Sequence, residues 1–366
     1  MLPRLQFGGP AARETFVAEG SRWAQSAWVC MHRVEEDLAP LLSAALEQLP
    51  KGTDDRILVT FDFPEVRQDG PGFQAKLWLP AVFQSAESIA TEPTPSIATQ
   101  QRALQPSNAR LLESIDQLAS VFAGGDLDKV VLAQRLQTEA PSTWRHVARS
   151  EGPVWTLGLE ENDRSFFAQT PEALLRWSGT HLESMALAGT TSRDPDPETD
   201  QGRSEALLAS AKDRREHKSV VTHLQKIIGA HCARLSVPEH PHVLQLPRLQ
   251  HLCTKIEAEQ PRLHPLLLAA KLHPTPALCG EPRLDALRHL QAIEGFPRGL
   301  YGGVIGWLSH DKGALVVGLR AIQKRGDQLE LIAGAGCVPG SNPAQELEEI
   351  HLKRASILAE AGLHLA

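Results

Sequence analysis

No run of apolar residues in this 366-residue chain approaches the roughly 18 that a membrane-spanning helix needs. Residues 1–10 lack the apolar stretch of a secretory signal. Cysteine is scarce as well, with five residues and no C-x-x-C pair. An odd number of cysteines without that spacing disfavours a disulfide framework and a cysteine zinc site, and favours a reducing compartment. We therefore expect a cytoplasmic protein with no membrane partner.

A basic excess is also missing. Lys and Arg total 37 against 44 Asp and Glu, which gives a formal net charge of −7. Because phosphate binding usually requires a basic excess, nucleic acid is not expected as a partner. The balance still allows a small anionic substrate, whose site can be locally positive on an acidic protein.

The pattern along the chain mixes strands and helices. Before residue 84 it predicts strands at Ser26–His32, Arg56–Phe63 and Lys76–Phe83, followed by a polar loop over residues 84–108. Later strands are expected at Lys129–Leu136, Tyr301–Trp307, Ala314–Ile322 and Leu329–Ala333. Helical spacing covers Ala109–Gly124, Glu205–Leu235 and Gln345–Ala361. Because the β-α-β alternation is irregular, the pattern predicts the α+β class.

A lysine, Lys129, opens the apolar strand Lys129–Leu136. Most lysines in such a position lie at a strand end in solvent. The alternative is a partly desolvated amine. A free lysine has a pKa of ~10.4 and is no base near neutrality, but burial or a nearby cation would lower that pKa toward the working range.

Thr170-Pro171-Glu172 stands directly before apolar residues. The pattern slightly favours an ordinary helix or turn start, with threonine as the cap and glutamate in the first turn. The functional alternative is a carboxylic acid that is held protonated in order to donate to a leaving oxygen.

Two of the predicted helices also contain charged residues that could belong to a site. Lys212–His217 is typical of a solvated face, unless Glu216 points inward as a metal ligand. Glu349 and Lys353 are four residues apart and share a helix face. They could form a surface ion pair worth roughly a few tenths of a kcal/mol, or place a metal carboxylate beside an ammonium for a substrate carboxylate. Carboxylate ligands favour Mg²⁺ over zinc.

Small residues form the string Ala333-Gly334-Ala335-Gly336, which would let a backbone amide approach an anion closely. The third glycine of a dinucleotide-binding motif is absent, so the match to that motif is poor.

In their order and residue sequence these segments resemble the chorismate-utilising family, which includes isochorismate, salicylate, anthranilate and aminodeoxychorismate synthases. Eight ordered strings within about residues 125–360 carry the resemblance. They are Lys129-Val-Val-Leu-Ala, Thr170-Pro-Glu172, Ala186-Leu-Ala-Gly189-Thr, Lys212-Asp-Arg-Arg-Glu216-His, Leu272-His-Pro-Thr-Pro-Ala, Arg298-Gly-Leu-Tyr301-Gly-Gly-Val-Ile-Gly-Trp307, Gly318-Leu-Arg320, and Ala333-Gly334-Ala-Gly with the Glu349/Lys353 helix. Two strings depart from the family pattern, at Ala168 and at Gly302, without loss of a charged group.

The resemblance implies two packed, mostly antiparallel β-sheets flanked by helices, as in aminodeoxychorismate synthase. It implies that residues 106–366 form the chorismate-binding catalytic region and that residues 1–105 complete the sheets within one integrated domain. Chorismate is a ring dicarboxylate with an enolpyruvyl ether, and the family binds it together with Mg²⁺. The metal carboxylates match Glu216 and Glu349. The substrate contacts match Gly189, His273, Tyr301, Arg320, Gly334 and Lys353.

Lys129 discriminates between activities within this resemblance. Isochorismate and salicylate synthases carry lysine here to activate water for attack at ring carbon 2, whereas ammonia-using relatives usually carry glutamine. Glu172 matches the acid that protonates the departing hydroxyl at carbon 4. The resemblance therefore implies isochorismate formation, for menaquinone or siderophore synthesis. Salicylate formation with pyruvate release is the alternative, and an ammonia-using synthase fits less well. We expect no amidotransferase subunit, and a monomer or weak homodimer.

Overall fold

A computed structural model of the chain describes residues 4–9, 16–51, 55–68, 70–85, 97–99, 101–140 and 153–365. These residues form two large antiparallel sheets, one small parallel pair and seven helices. The α+β prediction with two mostly antiparallel sheets is confirmed. The helices are α1 (Val34–Gln48), α2 (Asn108–Gly124), α3 (Pro197–Ala209), α4 (Ala211–His231), α5 (Pro265–Leu272), α6 (Arg283–Glu294) and α7 (Pro343–Glu360).

The strands have the following residue ranges. They are β1 (Arg4–Gly8), β2 (Phe16–Glu19), β3 (Trp23–Cys30), β4 (Ile57–Phe61), β5 (Glu65–Arg67), β6 (Gly70–Leu79), β7 (Val82–Ser85), β8 (Ile97–Thr99), β9 (Gln101–Gln105), β10 (Lys129–Glu139), β11 (Trp155–Glu161), β12 (Arg164–Thr170), β13 (Ala173–Ser178), β14 (His181–Ser192), β15 (Cys232–Ser236), β16 (His242–Gln245), β17 (Leu249–Pro261), β18 (Gly280–Glu281), β19 (Val304–Leu308), β20 (Lys312–Val317), β21 (Ala321–Arg325), β22 (Gln328–Cys337) and β23 (Leu363–Leu365).

The first sheet has the order β18-β10-β22-β21-β12-β11-β1-β2-β7, with β9 beside β10. The second has the order β15-β17-β14-β13-β20-β19-β4-β6-β3, with β16 beside β17 and β5 beside β6. Strands from residues 1–105 thus extend both sheets. The boundary at residue 105 stays a prediction, since hydrogen-bonded pairing continues across it in each sheet.

The sheets face each other across an aromatic cluster. The ring of Phe16 on β2 lies 6.3 Å from that of Trp307 on β19, and Phe7 on β1 lies 5.4 Å from Trp155 on β11. Because Phe16 and Trp307 belong to different sheets, this contact holds one sheet against the other. The same cluster includes Tyr301 and Ile332, whose side chains also border the cavity described below.

The chain passes between the sheets twice at one place. Residues 170–173 lead from β12 to β13, and residues 317–321 lead from β20 to β21. The amide of Val317 donates to the carbonyl of Glu172 (3.0 Å), and the amide of Gln169 donates to the carbonyl of Arg320 (3.4 Å). The two crossings are therefore bound to each other by their backbones.

The single strand predicted over Ala314–Ile322 is wrong. It breaks at Gly318–Arg320, where the chain changes sheets and Arg320 adopts a left-handed φ of 49°. A β-carbon on Gly318 would lie 2.3 Å from the carbonyl oxygen of Leu300, so only glycine fits this close crossing. A continuous apolar run does not show which sheet each half joins.

The long helix predicted over Glu205–Leu235 is also wrong. Its first part, α3, ends at Ala209, and the side chain of Ser210 then accepts from the amide of Asp213 to cap the start of α4. Residues from Cys232 onward pair with β17 as β15 instead. Likewise β8 and β9 lie inside the loop predicted over residues 84–108, because tertiary pairing with β23 and β10 overrides their polar composition.

Gly306→Ala should destabilise the fold by about 3 kcal/mol, at the upper end of overpacking costs. A β-carbon there would lie 2.0 Å from the backbone oxygen of Ala314 on the paired strand. Gly202→Ala is the matched control, because nothing lies within 4 Å of a β-carbon in that helical position. It should be neutral or stabilising by up to ~1 kcal/mol. Urea denaturation measures both, and equal stabilities would contradict the register of β19 on β20.

Candidate active site

A cavity of about 850 Å³ lies where the two crossings meet. Its lining comes from both sheets and from α4 and α7. Eight of the ten residues predicted from the sequence border it: Glu172, Gly189, Glu216, Tyr301, Arg320, Gly334, Glu349 and Lys353. Lys129 and His273 are the two exceptions. Lys129 lies next to the cavity wall, whereas His273 lies away from the cavity.

Lys129 lies directly behind the cavity wall. Its side chain is 1 % exposed, and its Nζ is 3.0 Å from Glu216 Oε1, which borders the cavity. The solvent-exposed alternative for this lysine is therefore wrong. Gly336 makes the arrangement possible, since a β-carbon there would lie 2.2 Å from Glu216 Oε1 and 3.2 Å from Lys129 Cε. The small residues of this string serve close packing of charged side chains.

Glu172 occupies the first crossing. Its amide N–H donates to Thr170 Oγ1 at 3.2 Å, and its own side chain is buried. The segment links two strands, so the helix-start alternative is wrong. Burial raises the pKa of Glu172 to about 8, although the ammonium groups of Lys129 and Lys353 oppose the rise. The carboxyl group is thus protonated near neutral pH.

Acidic residues from α4 and α7 meet at one end of the cavity. Glu349 Oε1 lies 2.7 Å from Lys353 Nζ, and the buried Glu346 lies 2.5 Å from Lys212 Nζ. Burial raises the pKa of Glu349, with Lys353 opposing and Glu216 adding to the rise. Burial acts in the same direction on Glu216 and is its largest single influence, but Lys129, Lys353 and Lys212 together lower the pKa of that carboxylate.

Arg320 projects from the second crossing, and its Nη2 donates to Nε2 of His251 on β17 at 2.7 Å. Burial, with Arg320 and Lys353, lowers the pKa of His251 well below its usual value, so the ring is neutral. Its Nδ1 faces the carbonyl oxygen of Gly189 (3.3 Å) and Thr190 Oγ1 (3.1 Å), which places the ring proton on Nδ1. Sequence reasoning missed His251, because a histidine in an apolar strand has no spacing that separates a ligand from a packed core residue.

Further hydrogen bonds hold other residues in and near the cavity wall. Lys353 Nζ donates to the carbonyl of Gly334 at 2.8 Å. The side chain of Arg298, another cavity residue missed from the sequence, donates to the carbonyl of Val131 at 2.6 Å. Its buried partner Glu294 accepts from the amide of Ala133 at 2.8 Å. This ion pair therefore holds β10, the strand that Lys129 begins.

His273 does not reach the cavity. It is fully buried among aromatic rings, with Phe73 at 5.3 Å, and its Nε2 donates to the carbonyl oxygen of Asp62 at 3.0 Å. Burial lowers its pKa to about 4. The structure gives His273 a packing role next to α5, and it does not bring this residue together with the other predicted contacts.

Residues 53–361 match the sequence profile described as chorismate binding enzyme. The chain belongs to this family. It is 35 % identical over 271 residues to the vibriobactin-specific isochorismate synthase of Vibrio cholerae, covering 71 % of this chain and 68 % of that protein. It is 36 % identical over 253 residues to the isochorismate synthase EntC of Escherichia coli K12, covering 68 % of this chain and 62 % of that protein. The chain thus matches about two thirds of the length of these curated relatives.

The fold comparison agrees. The structure aligns with that of a Bacillus anthracis protein described as a 2,3-dihydroxybenzoate-specific isochorismate synthase, DhbC, with a TM-score of 0.83 at 28 % identity. The alignment covers 98 % of this chain and 96 % of that chain. No helix in the described ranges is long and apolar enough to cross a membrane.

Glu172 should make the stability of the protein depend on pH. Its folded pKa of about 8 lies above the ordinary value of 4.5, so folding favours the neutral form. The stabilisation is complete below pH 4.5 and is lost as pH rises through about 8. Urea unfolding of wild type and Glu172→Gln across this range should show the wild type losing stability relative to the variant. Glu239→Gln, at a position 89 % exposed, should parallel the wild type; a flat difference for Glu172→Gln would contradict the raised pKa.

Proposed function

We propose that this protein is an isochorismate synthase, which interconverts chorismate and isochorismate. The observation that carries the proposal is the buried Lys129 at the cavity wall, within electrostatic reach of the protonated Glu172. An amine directly behind the cavity wall and a carboxylic acid that borders the cavity can form a base and acid pair. The similarity to isochorismate synthases from three genera supports the same activity.

The reaction needs one proton taken and one given. Lys129 accepts a proton from water as the water oxygen bonds to ring carbon 2. The ring double bonds shift, and the bond from carbon 4 to its hydroxyl breaks. Glu172 donates its proton to that leaving oxygen, which departs as water. The atoms balance as an isomerisation, and proton exchange with solvent restores both side chains.

Cations around the cavity suit the two carboxylates of chorismate. Arg320 would take the enolpyruvyl carboxylate, because a planar guanidinium binds a carboxylate through two hydrogen bonds. The burial of this group strengthens such a contact relative to water. Lys353, with the Gly334 backbone and Tyr301, would bind the remainder of the ring.

Glu216 and Glu349 would hold Mg²⁺. Within the described ranges no group of three or more acidic, histidine or cysteine side chains is placed to hold a metal. Magnesium usually keeps several waters and needs only one or two protein carboxylates with a substrate oxygen, so two glutamates suffice. The buried Glu346 Oε2, one turn before Glu349, has no hydrogen-bond partner among the described residues, in keeping with a site that accommodates further positive charge. When bound, the metal would neutralise the ring carboxylate.

Two other activities start from the same chemistry. A salicylate synthase would use Lys129 and Glu172 in the same way and then eliminate pyruvate. An ammonia-using synthase needs no base to activate its nucleophile, so a buried lysine at this position disfavours it. The product would enter menaquinone or siderophore synthesis.

Product analysis tests the proposal. Purified protein with chorismate and Mg²⁺ should give isochorismate, identified by chromatography, without added ammonia and without pyruvate in a coupled lactate dehydrogenase assay. Pyruvate formed in step with salicylate would replace isochorismate synthase by salicylate synthase. Glutamine- or ammonia-dependent anthranilate would reject the proposal.

Lys129→Ala should reduce isochorismate formation by roughly 10²–10⁴-fold, because the base is lost. Lys312→Ala is a matched control, since Lys312 also opens an apolar strand but is exposed. Steady-state rates and thermal denaturation are compared for both variants. A Lys129→Ala enzyme that stays folded and turns over at the wild-type rate would disprove the role of Lys129.

Gly336→Ala should weaken Mg²⁺ binding by roughly tenfold or more, as other disturbances of a ligand's support do. Its β-carbon would push Glu216 Oε1 from its position, and only flexible side-chain atoms are in the way, so the fold should persist. Titration calorimetry with Mg²⁺ alone measures this. Gly202→Ala provides the comparison, and equal affinities for the two variants would remove Glu216 from the proposed metal site.

A further inference from the structure

A second cleft, of about 920 Å³, opens beside the cavity. It is lined by Val154, Gln169, Pro247, Arg248, Arg320, Ala359 and Glu360. Arg320 borders both the cleft and the cavity. The guanidinium of Arg320 therefore stands between the cleft and the cavity.

Arg320 has one partner on each side. On the cavity side it donates to His251 Nε2 at 2.7 Å, and on the cleft side its Nη1 lies 3.9 Å from Glu360 Oε1. The second distance is that of a loose ion pair, too long for a hydrogen bond. Glu360 Oε1 already accepts a hydrogen bond from Ser356 Oγ at 2.8 Å. Arg320 can therefore still form its strongest, two-point contact with another carboxylate.

Glu360 is an unfavourable residue for its place in the fold. It is the last residue of α7, where a carboxylate faces the negative end of the helix dipole. Its side chain is only 21 % exposed. Burial raises the pKa of Glu360, while Arg320, Ser356 and Arg248 oppose that rise. The two arginines thus compensate a charge that neither the helix nor its burial favours.

Arg248 is presented at the outer side of the cleft. It lies in the tight turn between β16 and β17, closed by the hydrogen bond from the Leu246 amide to the Leu249 carbonyl at 2.8 Å. The Arg193 amide donates to the Arg248 carbonyl at 3.0 Å, so the backbone is anchored while the residue is exposed. Two arginines and one glutamate leave these side chains with a charge of about +1, which attracts an anion.

We propose that this cleft admits the dicarboxylate substrate: Arg248 attracts it, and Glu360 holds Arg320 until a substrate carboxylate takes its place. The inference rests on the proposed function for the identity of the substrate. Because Glu360 is displaced by the substrate, it lowers the net affinity while it keeps the guanidinium directed toward the cleft. Arg248 and Glu360 act on the approach and binding of the substrate, and neither contacts the reacting atoms.

Arg248→Gln tests the outer step. The value of kcat/KM for chorismate should fall by about 3- to 10-fold at low ionic strength, and the difference should shrink as salt is added, because screening weakens long-range attraction. Arg288→Gln, at a position 61 % exposed on α6, is the control and should match the wild type. No loss in Arg248→Gln, or a loss that salt leaves unchanged, would overturn the role of Arg248.

Glu360→Gln tests whether the Glu360 carboxylate holds Arg320 until the substrate binds, because the substitution retains the shape of the side chain and removes its charge. The dissociation constant of chorismate, from titration calorimetry, should fall severalfold, whereas Glu239→Gln should leave it unchanged. An equal or higher dissociation constant in Glu360→Gln would overturn the proposed role of Glu360. If the wild type neither binds nor converts chorismate, the proposed function itself fails. If the wild type converts chorismate and the Arg248 and Glu360 variants behave like it, the proposed function stands and only the proposed role of the cleft fails.

Discussion

The hydrogen bond from the Val317 amide to the Glu172 carbonyl joins the two neighbouring crossings, β12 to β13 and β20 to β21, at which the chain passes from one sheet to the other. Nearly everything else in the site depends on this junction. It places an acid from one crossing and an arginine from the other at one cavity, although they are 148 positions apart in the sequence. Because the junction is made by backbone atoms between strands, its geometry is set by the sheets and leaves little freedom to the side chains that it presents to the cavity.

Charge balance is the second constraint. Three glutamates from α4 and α7 lie among Lys129, Lys212 and Lys353, all largely removed from water. Buried ion pairs are weak contributors to stability, since the cost of desolvation offsets much of their attraction. Their concentration at one cavity therefore fits a functional demand better than a structural one. A dication and a dianionic substrate that bind together would leave this balance unchanged.

The sequence predicts the fold class and brings most of the residues it singles out to one cavity, although several predicted element boundaries are wrong. Glu172, Glu216 and Arg320 could be located because ordered strings resemble a known family, and their spacing does not depend on element boundaries. The inward orientation of Glu216 could not be predicted, since an exposed helix face has the same charged pattern. It follows from packing of α4 on β14 and from the space left by Gly336.

The failures have a common physical origin. The break at Gly318, the strand β15 and the strand β9 all depend on which distant segment a residue pairs with, and local periodicity carries no such information. His251 and His273 show the same limit at the level of single side chains. Both are buried histidines near the middle of the fold, yet only His251 borders the cavity, because its strand faces Arg320 while His273 faces aromatic rings.

Helix α7 runs from the carboxylates at one end of the cavity to the second cleft. Glu346 and Glu360 are 14 positions apart on it, about 21 Å along the axis at 1.5 Å per residue. Arg354, between them, donates to the side chain of Gln134 on β10 at 2.6 Å and fixes the helix against the first sheet. Any axial slip of α7 would shift the carboxylates at one end and the grip on Arg320 at the other by the same amount. One helix thus links the position of the carboxylates at the cavity to the position of the glutamate that contacts Arg320.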